Sequence, residues 1–328
     1  MSSPPLLAVR DLKKHFLLKR TRLRGPRERV YAVDGVSFEI QRGETLGLVG
    51  ESGCGKSTLG RTILHLLEPT AGQILFEGRD ITRLKPREMK QLRPRMQIIF
   101  QDPYSSLNPR LTVEHIVGDA LKAHGLADAG EIPGKVAEML DRVGIHREKM
   151  RCFPHEFSGG QRQRIGIARA LILRPRLIVC DEPVSALDVS IQAQVINLLG
   201  DLKKEFQLSY ILIAHDLSVV NHVSNRIAVM YLGKIIELAT NREILSRPLH
   251  PYTQALMSAV PVLDPDQKKK RIILQGDVPS PVNPPSGCRF HPRCFRVMEV
   301  CSHVEPLWAE VEPGHFAMCH LYDACAAK

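Results

Sequence analysis

No apolar run in this 328-residue chain approaches the roughly 20 residues a helix needs to cross a bilayer. A helical integral membrane protein is thereby excluded, and any membrane role is expected to come mainly through a partner. The N-terminus, beginning MSSPPLLAVRDLKKHF, lacks a charged-then-apolar signal pattern, which predicts a cytosolic protein. There is no internal repeat and no long low-complexity segment, which argues against a repeat architecture. The eight cysteines include no C-x-x-C pair, which argues against a zinc ribbon or a ferredoxin-like knuckle. In a reducing compartment they point to free thiols or metal rather than disulfides.

The length allows one large domain or two modest ones with a sizeable core. The net charge is +10, and it is concentrated. Residues 13–29 hold eight Lys/Arg against one Glu, and residues 268–271 add four more cations. These two runs account for the whole excess. Such patches suit phosphate-bearing partners such as lipid headgroups or nucleic acid, and equally suit two solvated loops.

The clearest chemical signal begins at a short apolar strand, residues 45–49. Gly50, Glu51, Ser52, Gly53, Cys54, Gly55, Lys56 and Ser57 follow, with Thr58 next. This is the full G-x-x-x-x-G-K-S phosphate loop. Its glycines let successive backbone N–H groups face one concavity, and the following helix adds its positive end. Lys56 is expected to reach the β- and γ-phosphates of ATP, and the Ser57 hydroxyl to ligate Mg²⁺. The helix is expected to run to Leu67. Cys54, at a helix N-terminus within the nest, is expected to favour its thiolate.

A second apolar strand ends at Asp181, placing a carboxylate for Mg²⁺ at the carboxyl edge of a parallel sheet, and Glu182 can polarise the attacking water. Three further features narrow the reading. Ser158, Gly159, Gly160 and Gln161 open another amphipathic helix. An apolar strand ends at His215, and Gln101 closes the strand beginning at Met96.

These residues together resemble an ATP-binding cassette nucleotide-binding subunit, over roughly residues 6–245. The resemblance implies that Tyr31 stacks on adenine, that Gly50–Thr58 is the phosphate loop and that Gln101 is the glutamine-loop residue at metal and water. It implies Ser158–Gln161 as the family signature, Asp181 as the metal-side aspartate and Glu182 as the catalytic glutamate. Ser185–Asp188 becomes the dimer-crossing loop and His215 the switch histidine. The expected fold is an α/β P-loop NTPase cassette. It would have a RecA-like, mostly parallel core, an antiparallel β subdomain near Leu6–Ile40 and Gly72–Glu77, and an inserted helical subdomain at about 102–157. Two such subunits would sandwich two ATPs.

Residues 247–256 (RPLHPYTQAL) resemble the segment that follows the cassette in oligopeptide and dipeptide importer ATPases. With the basic run and Ser105–Arg110, the chain is similar to the second ATPase subunit of such importers, with nickel or glutathione carried by close relatives. Implied partners are a second ATPase subunit, two membrane permeases and an extracytoplasmic substrate-binding protein, at the cytoplasmic face of the membrane. Anionic lipid is a further expected contact, and nucleic acid is not expected. A cassette ATPase acting on nucleic acid or the ribosome is the alternative. Against it, no long coiled coil or zinc insertion separates Gln101 from Ser185, and there is one cassette rather than two.

Residues 246–328 form a second expected region. Its Cys288, Cys294, Cys301 and Cys319 fall within about 32 residues of a Pro-rich tail with too little apolar content to order itself. The pattern Gly287-Cys-Arg-Phe-His-Pro-Arg-Cys294 is similar to that of peptide-importer ATPases carrying an iron–sulfur cluster. A 4Fe-4S cluster ranks first, four-cysteine zinc second and uncoordinated thiols third, while His291, His303, His315 and His320 leave a mixed Cys/His site open. Cys325 is expected to be no ligand, and the tail, which follows the nucleotide motifs, supplies none of them.

Overall fold

The computed structural model describes residues 4–18, 27–259 and 271–323. Parts of both basic runs (19–26 and 268–270) and Cys325 lie outside the described residues. The described residues form two compact units.

The first unit holds residues 4–6, 40–45 and 83–214. Its centre is three parallel strands, Met96–Ile99, Leu177–Asp181 and Ser209–Ile213, in that spatial order. Ile99 is in register with Cys180, and Asp181 with Ile213. The last two strands are buried at every position, so they read as unbroken apolar runs instead of alternating ones. Parallel neighbours need long crossovers. Helices Gly159–Leu171 and Val189–Phe206 lie within them. Residues 102–157 carry helices Pro103–Ser106, Val113–His124 and Ile132–Arg142, two 3-10 turns and no strand. Helix Val113–His124 buries Val113, Ile116, Val117 and Leu121, a spacing that makes one apolar face. It packs on Ile132–Arg142 and Gly159–Leu171.

The second unit holds residues 7–18, 27–39, 46–82, 215–259 and 271–323. An antiparallel sheet runs in the order Arg29–Ile40, Leu7–Leu17, Ala71–Phe76, Arg79–Asp80. Lys13 pairs with Ala71, so residues 13–17 belong to a strand and not to the loop expected over 13–29. Thr45–Val49 runs parallel to Arg226–Tyr231, and Lys234–Thr240 returns antiparallel. The helix after the phosphate loop is Lys56–Ile63, shorter than expected. His65 adopts a left-handed φ of 54°, and the Leu66 N–H donates back to Arg61 O at 2.8 Å.

The tail, read as having too little apolar content to order itself, is ordered on segments that precede it. His315–Met318 pairs with Lys234–Thr240, and Trp308–Glu312 pairs with His315–Met318, so the tail takes its backbone bonds from an existing sheet. Phe290, 1% exposed, meets Tyr231 and Tyr252 edge-on at 5.3 and 5.4 Å between ring centroids. Aromatics seated on a formed core add large buried area to the backbone pairing.

Glu237 on strand Lys234–Thr240 is fully buried together with His315. Its Oε1 accepts from Leu249 N–H and from His315 Nε2, each at 2.8 Å, and its Oε2 accepts from His250 N–H at 2.8 Å. His250 caps helix Pro251–Ser258, its Nδ1 accepting from Tyr252 N–H at 3.0 Å. Burial pushes the His250 imidazole down to about 4, although Glu237 pulls the other way. Between about pH 6.5 and 4 the unfolded chain therefore binds a proton at this position that the folded chain refuses. The stabilisation is complete above the unfolded value and is lost as pH falls through the window, by about 3 kcal/mol in full. Chemical-denaturation midpoints should drop from pH 7.5 to pH 5. His250→Asn, which keeps an acceptor for Tyr252 N–H, should flatten that slope. An unchanged slope in the variant would remove His250 as its source.

Candidate active site

In the second unit, strand Thr45–Val49 delivers the chain into Gly50–Gly55. Gly50 and Gly55 both have positive φ, and a Cβ on them would run into the carbonyl oxygens of Met230 and Ala32. The loop is thus moulded on its own backing strands, and only glycine fits there. Lys56 is buried, and its Nζ donates to Gly50 O at 2.7 Å and Glu51 O at 3.1 Å. Ser57 and Thr58 follow within helix Lys56–Ile63. The Ser52 and Gly53 positions lie in the turn before Cys54.

The thiolate expected at Cys54 is overturned. The side chain is 4% exposed, and burial raises its thiol against the pull of Lys56, whose Nζ lies 3.8 Å from the sulfur. Desolvation outweighs the helix end, and a small packing residue is what remains.

Tyr31 lies on strand Arg29–Ile40, its ring 4.6 Å from His15 in edge contact and its N–H donating to Pro281 O at 2.9 Å. His15 Nε2 meets Asp34 Oδ1 at 2.9 Å, and Arg289 forms an ion pair with the same carboxylate. His215 stands exposed shortly after strand Ser209–Ile213.

In the first unit, Asp181 is buried at the end of its strand, and Glu182 follows with a left-handed φ of 47°. Gln101 Nε2 donates to Glu182 Oε2 at 2.8 Å, and Glu182 N–H donates to Ile213 O at 3.0 Å. The structure therefore brings together the two side chains assigned to the attacking water. Ser158 caps helix Gly159–Leu171: its Oγ accepts from Gln161 N–H at 3.4 Å, while Gln161 Oε1 accepts from Ser158 N–H at 3.1 Å. The S-x-x-Q signature is thus a capping box. A Cβ on Gly160 would come within 2.6 Å of Ile191, so the signature helix sits tight on the helix that Asp188 caps. Asp188 Oδ1 accepts from Ile191 N–H at 3.0 Å. Ser185 Oγ donates to Glu182 O at 3.2 Å.

Sequence reasoning missed the residues that hold the loop from outside it. Glu51 N–H donates to Tyr252 Oη at 2.9 Å, and the Glu51 carboxylate is gripped by Arg293. Tyr252 lay in the HPY segment read only as a family marker, and Arg293 in a pattern read only for cysteine spacing. The tail contains none of the nucleotide motifs, yet it touches the phosphate loop through these contacts.

Cys288, Cys294, Cys301 and Cys319 are free. Burial pushes the Cys288 thiol up to about 11 and Cys319 to about 12, and Cys319 also feels the other three sulfurs. Among the described residues, no three His, Cys, Asp or Glu side chains are arranged to hold a metal ion. Four sulfurs are gathered, but no metal geometry is formed.

The phosphate loop, capped signature helix and strand-end acidic pair define a P-loop ATPase of the ATP-binding cassette class. Comparison with known proteins agrees. The ABC transporter family matches residues 33–185, and the oligopeptide/dipeptide transporter C-terminal region matches residues 236–301. The chain is 54% identical to the oligopeptide transport ATP-binding protein AppF of Bacillus subtilis (strain 168), over 97% of each chain. It is 51% identical to a putative peptide import ATP-binding protein of Brucella ovis, over 97% of this chain and 98% of that one. Among solved structures it is similar to the ADP- and Pi-bound dimer of the cassette MJ0796, with a TM-score of 0.64 and 27% identity over 72% of this chain and 99% of that one. The cbiO1 protein of Clostridium perfringens, part of the transporter complex cbiONQ, gives a TM-score of 0.63 at 28% identity over 74% and 91%. This chain belongs to the ABC transporter ATPases that carry the oligopeptide/dipeptide transporter C-terminal region.

Glu182→Gln keeps an acceptor for Gln101 Nε2 but cannot take a proton. Steady-state phosphate release should fall by about 10²- to 10⁴-fold while nucleotide binding persists. Parallel phosphate-release and equilibrium-binding assays check this, and wild-type turnover would remove Glu182 as the base.

Proposed function

We propose that this ATPase energises an importer of dipeptides or oligopeptides from the cytoplasmic face of the cell membrane. It would pair with a second ATPase subunit beneath two membrane permeases served by an extracytoplasmic substrate-binding protein. The observation that carries this reading is the likeness to an oligopeptide transport ATP-binding protein across 97% of both chains, tail included. No helix among the described residues is long and apolar enough to cross a membrane, consistent with a peripheral subunit. The cations of residues 13–29 support a contact with anionic headgroups. An action on nucleic acid is not favoured, since the relatives bear transport names along the whole chain.

In this reading Tyr31 stacks on adenine, the amides of Gly50–Thr58 cradle the phosphates, and Lys56 turns its ammonium from loop carbonyls to the β/γ-oxygens. The Ser57 hydroxyl and the buried Asp181 carboxyl are hard oxygen donors of the kind Mg²⁺ prefers, and bound Mg²⁺ would neutralise developing phosphate charge. Glu182, oriented by Gln101, takes the proton of the attacking water. His215 senses the γ-phosphate, and Ser158–Gln161 offers its helix end to the partner's nucleotide. Reconstituted with its membrane permeases, partner ATPase and substrate-binding protein, the subunit should hydrolyse ATP several-fold faster when peptide is added. Copurification with nucleic acid instead of membrane subunits would overturn the reading.

The finer proposal is that Cys288, Cys294, Cys301 and Cys319 take up a 4Fe-4S cluster, or zinc as second choice. Its support is a donor set of four grouped soft sulfurs, with backbone N–H groups such as that of Arg296 aimed at Cys294 Sγ at 3.4 Å. Loading would have to displace protons that burial holds on these thiols. Anaerobically purified protein should be brown, with iron and sulfide in similar amounts, and serine at any of the four positions should bleach it. Colourless protein with one zinc shifts the assignment, and freely alkylated thiols with neither metal end it.

A further inference from the structure

Glu51 is an acidic side chain inside a loop whose task is to receive phosphate. An uncompensated carboxylate there would repel the ligand. It is compensated from 242 residues away. Arg293 Nη1 donates to Glu51 Oε2 at 2.7 Å and Nη2 to Oε1 at 3.1 Å, a two-point fork that fixes orientation as well as charge. Arg293 is nearly buried, with 8% of its side chain exposed, and Nη1 also lies 3.5 Å from Tyr231 Oη.

The same loop residue is held at its backbone, because Glu51 N–H donates to Tyr252 Oη at 2.9 Å and Glu51 O accepts from Lys56. Tyr231, Tyr252 and Phe290 form one aromatic cluster with centroids 4.8 to 5.4 Å apart, so both holding groups spring from a rigid support. Arg293 closes the 3-10 turn His291–Arg293, where its N–H donates to Phe290 O at 3.0 Å. The turn that spaces Cys288 from Cys294 is therefore the turn that carries the clamp.

We propose that Arg293 is a positioning residue of the ATPase, acting through Glu51 to hold the phosphate loop and cancel its negative charge, so that the C-terminal region is a working part of the nucleotide site. The inference rests on the assignment of Gly50–Thr58 as the phosphate loop. It gives the tail a role that does not depend on metal.

The test uses the full-length chain with MgADP and MgATP as probes. Arg293→Ala should raise the Kd for MgADP and the KM for ATP by about tenfold, as loss of a charge-assisted pair predicts, with a smaller change in kcat. Arg293→Lys, keeping the charge but not the fork, should fall between. Adding Glu51→Gln to Arg293→Ala should restore most of the affinity, because the orphaned carboxylate is what repels the phosphates. A merely structural tie would give no such rescue. Unchanged affinity in Arg293→Ala, or a loss that Glu51→Gln does not relieve, overturns the proposal. Should Arg293→Ala fail to fold, Arg293→Lys decides: an intermediate loss supports the clamp and wild-type affinity sinks it. Lys56→Ala, assayed alongside, separates the two levels. If it loses nucleotide while Arg293→Ala does not, only this inference fails; if it loses none, the loop assignment itself falls.

Discussion

The second unit depends on one buried carboxyl group. Glu237 has no exposure, and such a group is costly, by several kcal/mol, unless every donor it needs is at hand. Its donors come from three places: the amides of Leu249 and His250 and the imidazole of His315. Satisfying Glu237 therefore fixes where the chain turns before Pro251 and where the C-terminal hairpin docks. His250 in turn accepts from Tyr252 N–H, and Tyr252 Oη accepts from Glu51 N–H. A chain of hydrogen bonds thus runs from a core strand to the phosphate loop. Tight interiors pass such constraints along because each group has few alternatives.

Much of the site was legible because its signals are local. An apolar strand, glycines at fixed offsets and a helix end lie within 20 residues of one another, and the S-x-x-Q cap lies within four. Asp181 was readable because a strand buried on both faces leaves a carboxylate conspicuous at its end. The rest was hidden for physical reasons. In residues 234–240, KIIELAT, a glutamate between apolar residues reads as a solvent-facing position, and only its partners 12, 13 and 78 residues away make it a core residue. The Arg293–Glu51 pair spans 242 residues and carries no local pattern. What orders the tail was not visible in its own apolar content, because its edge strands and Phe290 complete surfaces formed by other segments. Cys54 was misread by weighing the helix end without the burial that opposes it.

The two side chains proposed to act on the nucleotide, Lys56 and Glu182, are already hydrogen-bonded to their own chain. Lys56 donates to two loop carbonyls, and Glu182 accepts from Gln101. Phosphate binding thus exchanges hydrogen bonds more than it adds them, and exchanges of this kind are worth little on balance. The net affinity then falls to terms that do not cancel: the loop amides held in a fixed concavity, and the charge around it. The first is set by Gly50 and Gly55 lying against the Met230 and Ala32 carbonyls. The second includes Glu51, whose sign is wrong for a phosphate site until a guanidinium from the far end of the chain answers it. On the proposed role of Arg293, separating this cassette from its C-terminal region would leave Glu51 unanswered beside its own phosphate loop.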